Sequence, residues 1–305
     1  MRKHLLVIGG NDSSAVQASQ LDADVTLFQL RRLLTPAQLD AARRVLVFDF
    51  ENIDETLTLA KCIHSIHRFD AVASFWERAL LPAAVVGEAM GINANPVYPV
   101  RTSRDKIAMR ELLAARTSNP VKFEACSSPT ELGRFLAEVG GPIVLKPANG
   151  SGSVGVSLVT KSNELDAAWK WASAAGLGPL MAEAYVDGPE YSVETLSVGG
   201  KHRILGITEK VTTGAPHFIE IGHRFPAELP KAIERKIHDV VIELLDWLHH
   251  QVGPAHTEIR LADGTPRIIE THTRFGGDQI WEMVELVSGV SLTRATCAFL
   301  LGLAL

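Results

Sequence analysis

Residues 143–156 narrow the choice of fold most. An apolar run, Ile143-Val-Leu, ends at Lys146; a loop of small residues follows, Asn149-Gly-Ser-Gly-Ser-Val-Gly155; a second apolar run resumes at Val156. Gly150, Gly152 and Gly155 let backbone N–H groups approach an anion with no Cβ in the way. Ser151 and Ser153 add hydroxyl donors, and Lys146 adds a positive charge. That chemistry suits a triphosphate. Two common phosphate loops are excluded. No Gly-Lys-Ser/Thr follows the glycines, and the next segment reads as a strand, not the helix a dinucleotide fingerprint requires. A surface hairpin with glycines for turns is the plain alternative.

With 305 residues the chain has material for two or three lobes. A net charge of −5 argues against nucleic acid or an anionic membrane as the main partner. Cys62, Cys126 and Cys297 are odd in number and far apart, so they make neither a disulfide framework nor a metal spacing. This fits a reducing, cytoplasmic setting. The basic start, Met1-Arg-Lys-His4, is followed by an apolar run over only residues 5–8, too short for a signal sequence. No apolar run reaches membrane-spanning length.

Residues 5–8, 45–48 and 71–75 are apolar without alternation, as strands buried on both faces are. Helical stretches separate them; one opens at Thr35, with Pro36 at its first position. The alternation predicts an N-terminal α/β domain with a helix-covered parallel sheet over residues 1–95. Gly9-Gly10-Asn11-Asp12 lacks the glycine spacing of an NAD site and reads as a tight strand–helix turn. The Pro-rich segment 94–100 marks a boundary. Thr102-Ser-Arg-Asp105 then opens a helix with Lys106 in its first turn, where a cation opposes the dipole unless an anion lies near. A strand over 121–124, a helix opened by Ser128-Pro129, the glycine loop and a helix through Trp169 and Trp171 predict a small α+β lobe over 101–180. In the remaining lobe, 181–305, segments 190–198 and 202–210 read as a hairpin turned by Gly199-Gly200. Ile233, Ile237, Val240, Val241, Leu244, Leu245 and Leu248 form the stripe of a core-facing helix.

Segments 256–261 and 267–274 form a second hairpin whose register decides its chemistry. A two-residue Asp263-Gly264 turn puts Glu258 and Glu270 on opposite faces; a three-residue loop, Asp263-Gly264-Thr265, sets them opposite each other. In the second case His256, Glu258, Glu270, His272 and Arg274 share one face. Facing carboxylates destabilise a sheet unless a cation lies between them. Hard oxygen ligands suit Mg²⁺, and the histidines leave Zn²⁺ or Mn²⁺ open. We expect the three-residue loop; a solvated face of mixed charges is the alternative.

Taken in order, these motifs resemble the ATP-grasp superfamily, and within it the ATP-dependent carboxylate–amine ligases that include L-amino acid ligases. The resemblance runs through Arg104-Asp-Lys106, the Lys146 strand with Gly150-Ser-Gly-Ser-Val-Gly155, Glu183-Ala-Tyr-Val-Asp-Gly-Pro-Glu190, and Glu258 with Glu270-Thr-His-Thr-Arg274. It implies an ATP-grasp fold, with 101–180 as lid lobe and 181–305 carrying the metal and substrate site. It implies that Lys106 and Lys146 contact ATP phosphates under a loop containing Ser151, Gly152 and Ser153. Glu183, Tyr185 and Val186 line the adenine pocket, and Glu190 holds the ribose. Glu258 and Glu270 bind Mg²⁺, with Mn²⁺ as a substitute. Arg274 faces an acyl phosphate, and Lys146 and Arg274 are the expected catalytic residues. The segment 208–223 resembles a substrate-side segment of the same branch, which implies His217, Glu220, His223, His272, Gly276, Gly277 and Trp281 near the amino-acid pocket. Many relatives have Asn where this chain has His272, and imidazole is a poor Mg²⁺ ligand, so a substrate or phosphate contact is expected there instead. Many relatives also carry a further C-terminal subdomain, whereas this sequence stops at an apolar stretch, 299–305, expected to dock on the protein or on a partner. The implied reaction joins a small carboxylate and an amine at the cost of ATP; a homodimer is left open. A carboxylating enzyme acting through carboxyphosphate and a non-catalytic nucleotide-binding protein are the alternatives.

Overall fold

The computed structural model describes residues 2–304; Met1 and Leu305, the outermost residues of the terminal stretches noted above, lie outside that range. The first sheet is parallel: β1 (Lys3–Ile8), β2 (Ala23–Gln29), β3 (Arg44–Val47) and β4 (Ala71–Ala73), in the order β3-β2-β1-β4. Side chains alternate across a strand, and both faces of β1 are covered. Leu5 and Val7 enter one core with the Asp12–Ser19 helix, while Leu6 and Ile8 enter another with the Ile53–Ile66 and Leu80–Met90 helices. β2 escaped the sequence reading because Asp24 and Thr26 interrupt its apolar run. The apolar C-terminal stretch begins in the Leu292–Leu301 helix, which packs Cys297, Ala298, Leu300 and Leu301 against this sheet, with Leu303 beside them. It therefore docks on the chain itself, at the opposite end of the sequence.

The Pro-rich segment is not an irregular linker. Pro96 precedes a helix, Val97–Arg104, which keeps Thr102 and Ser103 inside it. Asp105, not Thr102, caps the next helix, Lys106–Arg116, accepting from the N–H groups of Ile107 and Ala108 at 2.9 and 3.2 Å. The second sheet is antiparallel: β5 (Phe123–Cys126), β6 (Ile143–Pro147), β7 (Ser157–Val159) and β8 (Leu180–Ala184), in the order β5-β8-β6-β7. Helices Pro129–Val139 and Leu165–Ala174 cover one face, where Ile143 and Leu145 are buried; Val144 and Lys146 therefore point to the other, into a cleft.

The third sheet, β9 (Glu190–Val198), β10 (Lys201–Thr212), β11 (Glu220–Arg224), β12 (Val252–Ala262) and β13 (Thr265–His272), runs β11-β10-β9-β12-β13. The Lys231–Trp247 helix packs Ile237, Val241, Leu244 and Leu245 against Val193, Ile207, Ala255 and Ile259 on one face. Alternation leaves Glu194, Lys210, His256 and Glu258 on the other. Here the expected three-residue loop is wrong. Ala262 pairs with Thr265 across a two-residue turn whose Asp263 and Gly264 have φ of 49° and 71°, the left-handed pair of a tight hairpin. Glu258 nonetheless pairs with Glu270, because the register shifts between Ile259↔Ile268 and Glu258↔Glu270. Ile269 is the extra residue of a β-bulge, and it restores the parity that the turn removes. No single helix among the described residues is long and apolar enough to cross a membrane.

Candidate active site

A cleft of about 700 Å³ lies between the second and third sheets. It is lined by Val144 and Lys146 from β6, Ser151 and Ser153 from the glycine loop, Glu183 from β8, and Glu258 and Glu270 from the third sheet. Lys106 reaches it from the helix that Asp105 caps. Its ammonium donates to the carbonyl of Gly150 at 2.7 Å and meets Glu270 at 3.0 Å. The anion that its place in the first turn calls for is thus a carboxylate of β13. Lys146 is 4 % exposed and paired with Glu183, which also accepts from Arg110 at 2.7 Å. Burial lowers the Lys146 pKa, offset in part by Glu183. Burial would raise that of Glu183, but Arg110 and Lys146 overcome it and keep the carboxylate ionised. The Glu183 side chain thus holds Lys146 in place.

Val186, Phe218 and Ile269 give the cleft apolar wall, and Tyr185 and Glu190 complete the expected set. Arg260 lies over the Tyr185 and Phe218 rings, at 5.1 and 4.8 Å, and donates to Glu190 at 2.8 and 3.0 Å. Glu190 also meets Lys210 at 3.0 Å. The carboxylate expected at a ribose is thus already held by two cations.

Lys210 was missed in the sequence. Its ammonium is buried within 3.0 Å of Glu190, 2.6 Å of Glu220 and 2.9 Å of Glu258. Burial disfavours its charge, but Glu258, Glu190 and Glu220 together raise its pKa above the ordinary lysine value. Glu258 and Glu270 are partly buried, and desolvation would raise their pKa values, yet both are lowered. Lys210 is the main cause for Glu258; for Glu270 it is Lys106, then His272. Each carboxylate thus carries an ammonium where a divalent cation would bring the compensating charge. His256 Nδ1 donates to both oxygens of Glu194 at 3.0 Å. Burial would lower its pKa, but Glu194 outweighs burial and the value rises to about 9.

A second cleft of about 850 Å³ adjoins the first, sharing Ser151, Ser153, Glu258 and Glu270. Gly152, Glu220, His272, Arg274, Gly277 and Asp278 line it. Behind it stands Glu77, from the turn that follows β4, at the carboxyl end of the parallel sheet where α/β folds place ligands. Glu77 accepts from Arg274 Nε at 3.0 Å, His272 Nδ1 at 3.1 Å and Arg104 Nε at 2.9 Å. Burial opposes its ionisation, but His272, Arg274 and Arg104 hold its pKa below the carboxylate range. Nothing local in Trp76-Glu-Arg78 marks it; only the topology brings it here. His272 uses its other nitrogen on Glu270 at 3.1 Å, so both ring nitrogens are engaged by carboxylates.

Four expected substrate residues stand outside this lining. His217 Nδ1 lies 3.1 Å from the Val156 carbonyl and its ring 5.1 Å from Trp171, so it joins the glycine-loop lobe to the third sheet. His223 sits behind Glu220, at 2.8 Å. Trp281 packs against Phe275 in an apolar cluster. At Gly276 a Cβ would lie 2.8 Å from His256 Nδ1, so the missing side chain makes room for His256.

The donor set fits a metal–nucleotide pair. Two facing carboxylates offer hard oxygens, and lysines and a glycine loop face them across a cleft with apolar wall. An ATP-grasp domain family matches residues 139–282. The chain is 33 % identical over 196 residues to the uncharacterized protein y4rH of Sinorhizobium fredii, covering 62 % of this chain and 40 % of that protein. It is 25 % identical over 246 residues to alanine–anticapsin ligase of Bacillus subtilis, covering 72 % and 51 %. The crystal structure of L-amino acid ligase from Bacillus licheniformis superposes with a TM-score of 0.85 at 28 % identity, covering 98 % of this chain and 75 % of that one. The chain thus spans about half or less of the length of these two curated relatives. With sheets, glycine loop and paired carboxylates in the expected order, residues 139–282 match an ATP-grasp domain, and the chain resembles the carboxylate–amine ligase branch of that superfamily.

Proposed function

We propose that the protein is an ATP-dependent carboxylate–amine ligase, which phosphorylates a carboxylate and lets an amine displace the phosphate to give an amide or peptide bond. The observation that carries this reading is the junction of the two clefts at Glu258 and Glu270, beside Lys106, Lys146 and Arg274. One cleft has the lining of a nucleotide site and the other that of a small zwitterion site. In this reading Lys106 and Lys146 hold the phosphates under Ser151, Gly152 and Ser153, and Val186, Phe218 and Ile269 enclose the base. Glu190 reaches the ribose once Arg260 turns aside. Glu258 and Glu270 would hold Mg²⁺, which supplies charge compensation at the transferring phosphoryl group. Arg274 donates Nε–H to Glu77 and Nη1 to the Phe275 carbonyl while lining the second cleft. It is placed there to stabilise charge on equatorial oxygens. Water exclusion falls to the glycine loop and the strand after it, tied across the cleft by Ser153 to the Phe218 carbonyl at 3.3 Å and by the Leu158 N–H of β7 to the Pro216 carbonyl at 2.9 Å.

The named relatives include ligases of amino acids, so amino-acid substrates are proposed here too. A screen of phosphate release against amino-acid pairs, with mass spectrometry of products, tests the reading. Release that follows amino-acid pairs and yields a mass one water below their sum is expected. Release that responds only to bicarbonate overturns it in favour of a carboxylating enzyme.

A further inference from the structure

We infer that Arg110 is a positioning residue that holds the β13 bulge and so sets Glu270 against Glu258. The inference rests on the metal-binding reading of those two carboxylates. Arg110 lies one turn after Lys106 on the same helix, and both side chains point to β13. It is 2 % exposed. Its Nη1 donates to the carbonyl of Ile268 at 2.7 Å and its Nη2 to that of Ile269 at 3.1 Å, while Nε holds Glu183 at 2.7 Å. Ile268 and Ile269 are the residues at which the ladder slips by one. A bulge leaves its extra residue outside the regular hydrogen-bond pattern, and a buried carbonyl without a donor is costly. The guanidinium fork supplies two donors at that break. Lysine cannot do this with one ammonium while also holding Glu183.

The consequence follows from parity. With a two-residue turn and no bulge, Glu258 would face Ile269 and Glu270 would leave the cleft. With the bulge, Ile269 and Glu270 both line the nucleotide cleft although they are adjacent in sequence. One guanidinium thus joins the Lys146–Glu183 pair to the register of the facing carboxylates. The competing explanation is that the pairs beyond the bulge hold the register unaided. Thr257 and Thr271 are joined there by hydroxyls at 2.8 Å, and Arg110 would then only neutralise Glu183.

The test uses Mn²⁺ as spectroscopic probe, with ADP saturating, on the full chain. Electron paramagnetic resonance gives Mn²⁺ affinity, calorimetry in EDTA gives metal-free ADP affinity, and circular dichroism checks the fold. Arg110→Gln and Arg110→Lys should each weaken Mn²⁺ binding by about 10-fold or more while metal-free ADP binding changes by less than about 3-fold, the range for losing a group that orients metal ligands. Deleting Ile269 in the Arg110→Gln background removes the need for a bulge and leaves Glu258 opposite Glu270. Mn²⁺ affinity should recover to within about 3-fold of the wild type, as the parity of the ladder requires. Wild-type Mn²⁺ affinity in folded Arg110→Lys or Arg110→Gln overturns the inference, as does a folded deletion variant with no recovery. If Arg110→Gln does not fold, Arg110→Lys decides, alone and with Ile269 deleted in its background. A wild-type protein that binds ADP but no Mn²⁺ overturns the metal-site reading beneath the inference, a result distinct from the others.

Discussion

The parallel sheet and the five-stranded sheet bury their residues for opposite reasons. Leu5, Leu6, Val7 and Ile8 fill both faces of β1 with hydrocarbon. The third sheet packs one face in the same way but buries Glu194, Lys210, His256 and His272 on the other, none more than 7 % exposed. Hydrocarbon burial is directly stabilising, at about 25 cal/mol per Å². Burial of ion pairs rarely is, because desolvation consumes most of the Coulomb gain. A chain selected for stability alone would not place four carboxylates around Lys210 and Lys106. The difference separates what holds the molecule together from what the cleft is for.

The sharpest way to break this comparison is a pair of substitutions. Lys146→Met should lower ATP turnover by about 1,000-fold, the upper scale for removing a preorganised electrostatic contact. Arg110 remains to hold Glu183, so the fold should survive, as circular dichroism and gel filtration would show. Folded Lys146→Met with near-normal turnover removes the lysine from the phosphate site. Phe28→Ala is the counterpart. Phe28 is fully buried in the parallel sheet, so the variant should lose about 3–5 kcal/mol of unfolding free energy in urea. Its affinity for ADP should stay unchanged while it is folded. Loss of nucleotide binding in folded Phe28→Ala would mean that the two regions are not separable.

The same division governs what the sequence makes legible. Apolar runs, caps and the Gly199-Gly200 turn are local signals, and β1, β3, β4, the Pro36–Ala41 helix and the β9–β10 hairpin follow them. The carboxylates of β12 and β13 are legible as a pair, but their pairing is reached by another route than parity suggested. Hairpin chemistry at Asp263-Gly264 favours two residues, and the bulge that compensates is held by Arg110, 158 residues away from Ile268. Glu77 and Lys210 have no motif of their own. Glu77 lies 197 residues from Arg274, and only the tertiary fold brings them together. His217 was read from a family segment as substrate-facing; its ring meets the Val156 carbonyl at the end of the glycine loop.

Arg274→Lys sharpens the comparison on the charged side. Lysine keeps the charge but loses the planar fork, so a residue that only balances Glu77 should tolerate the change. A residue that meets a phosphoryl group in the transition state should not. The expected result is a kcat lowered by about 100-fold with little change in ATP affinity. A variant that keeps most of its kcat, assayed with the productive substrate pair, would make Arg274 a partner of Glu77 and nothing more.

Two histidines on β12 and just before it offer the smallest and cleanest contrast. His250 and His256 are both buried, at 0 % and 4 % exposure. His256 has the Glu194 carboxylate and is raised to about 9. His250 has only the Gly253 carbonyl at 3.2 Å and the stacked ring of His202; burial dominates and lowers it to about 4. Its Nδ1 has no partner among the described residues. Between pH 4 and the unfolded value near 6.5, the unfolded chain therefore binds a proton at His250 that the folded chain refuses. Stability from this group is present above pH 6.5 and is lost as pH falls towards 4. From pH 7 to pH 5 the loss should be about 2 kcal/mol. His250→Gln keeps a donor for Gly253 and cannot titrate. Urea unfolding at the two pH values should show the variant losing about 2 kcal/mol less than the wild type over that interval. His4, His64 and His202 are also lowered, and they remain in both proteins, so the difference isolates His250. Equal losses in the two proteins would show that burial without a carboxylate does not decide the charge of a histidine here, and the contrast with His256 would fail with it.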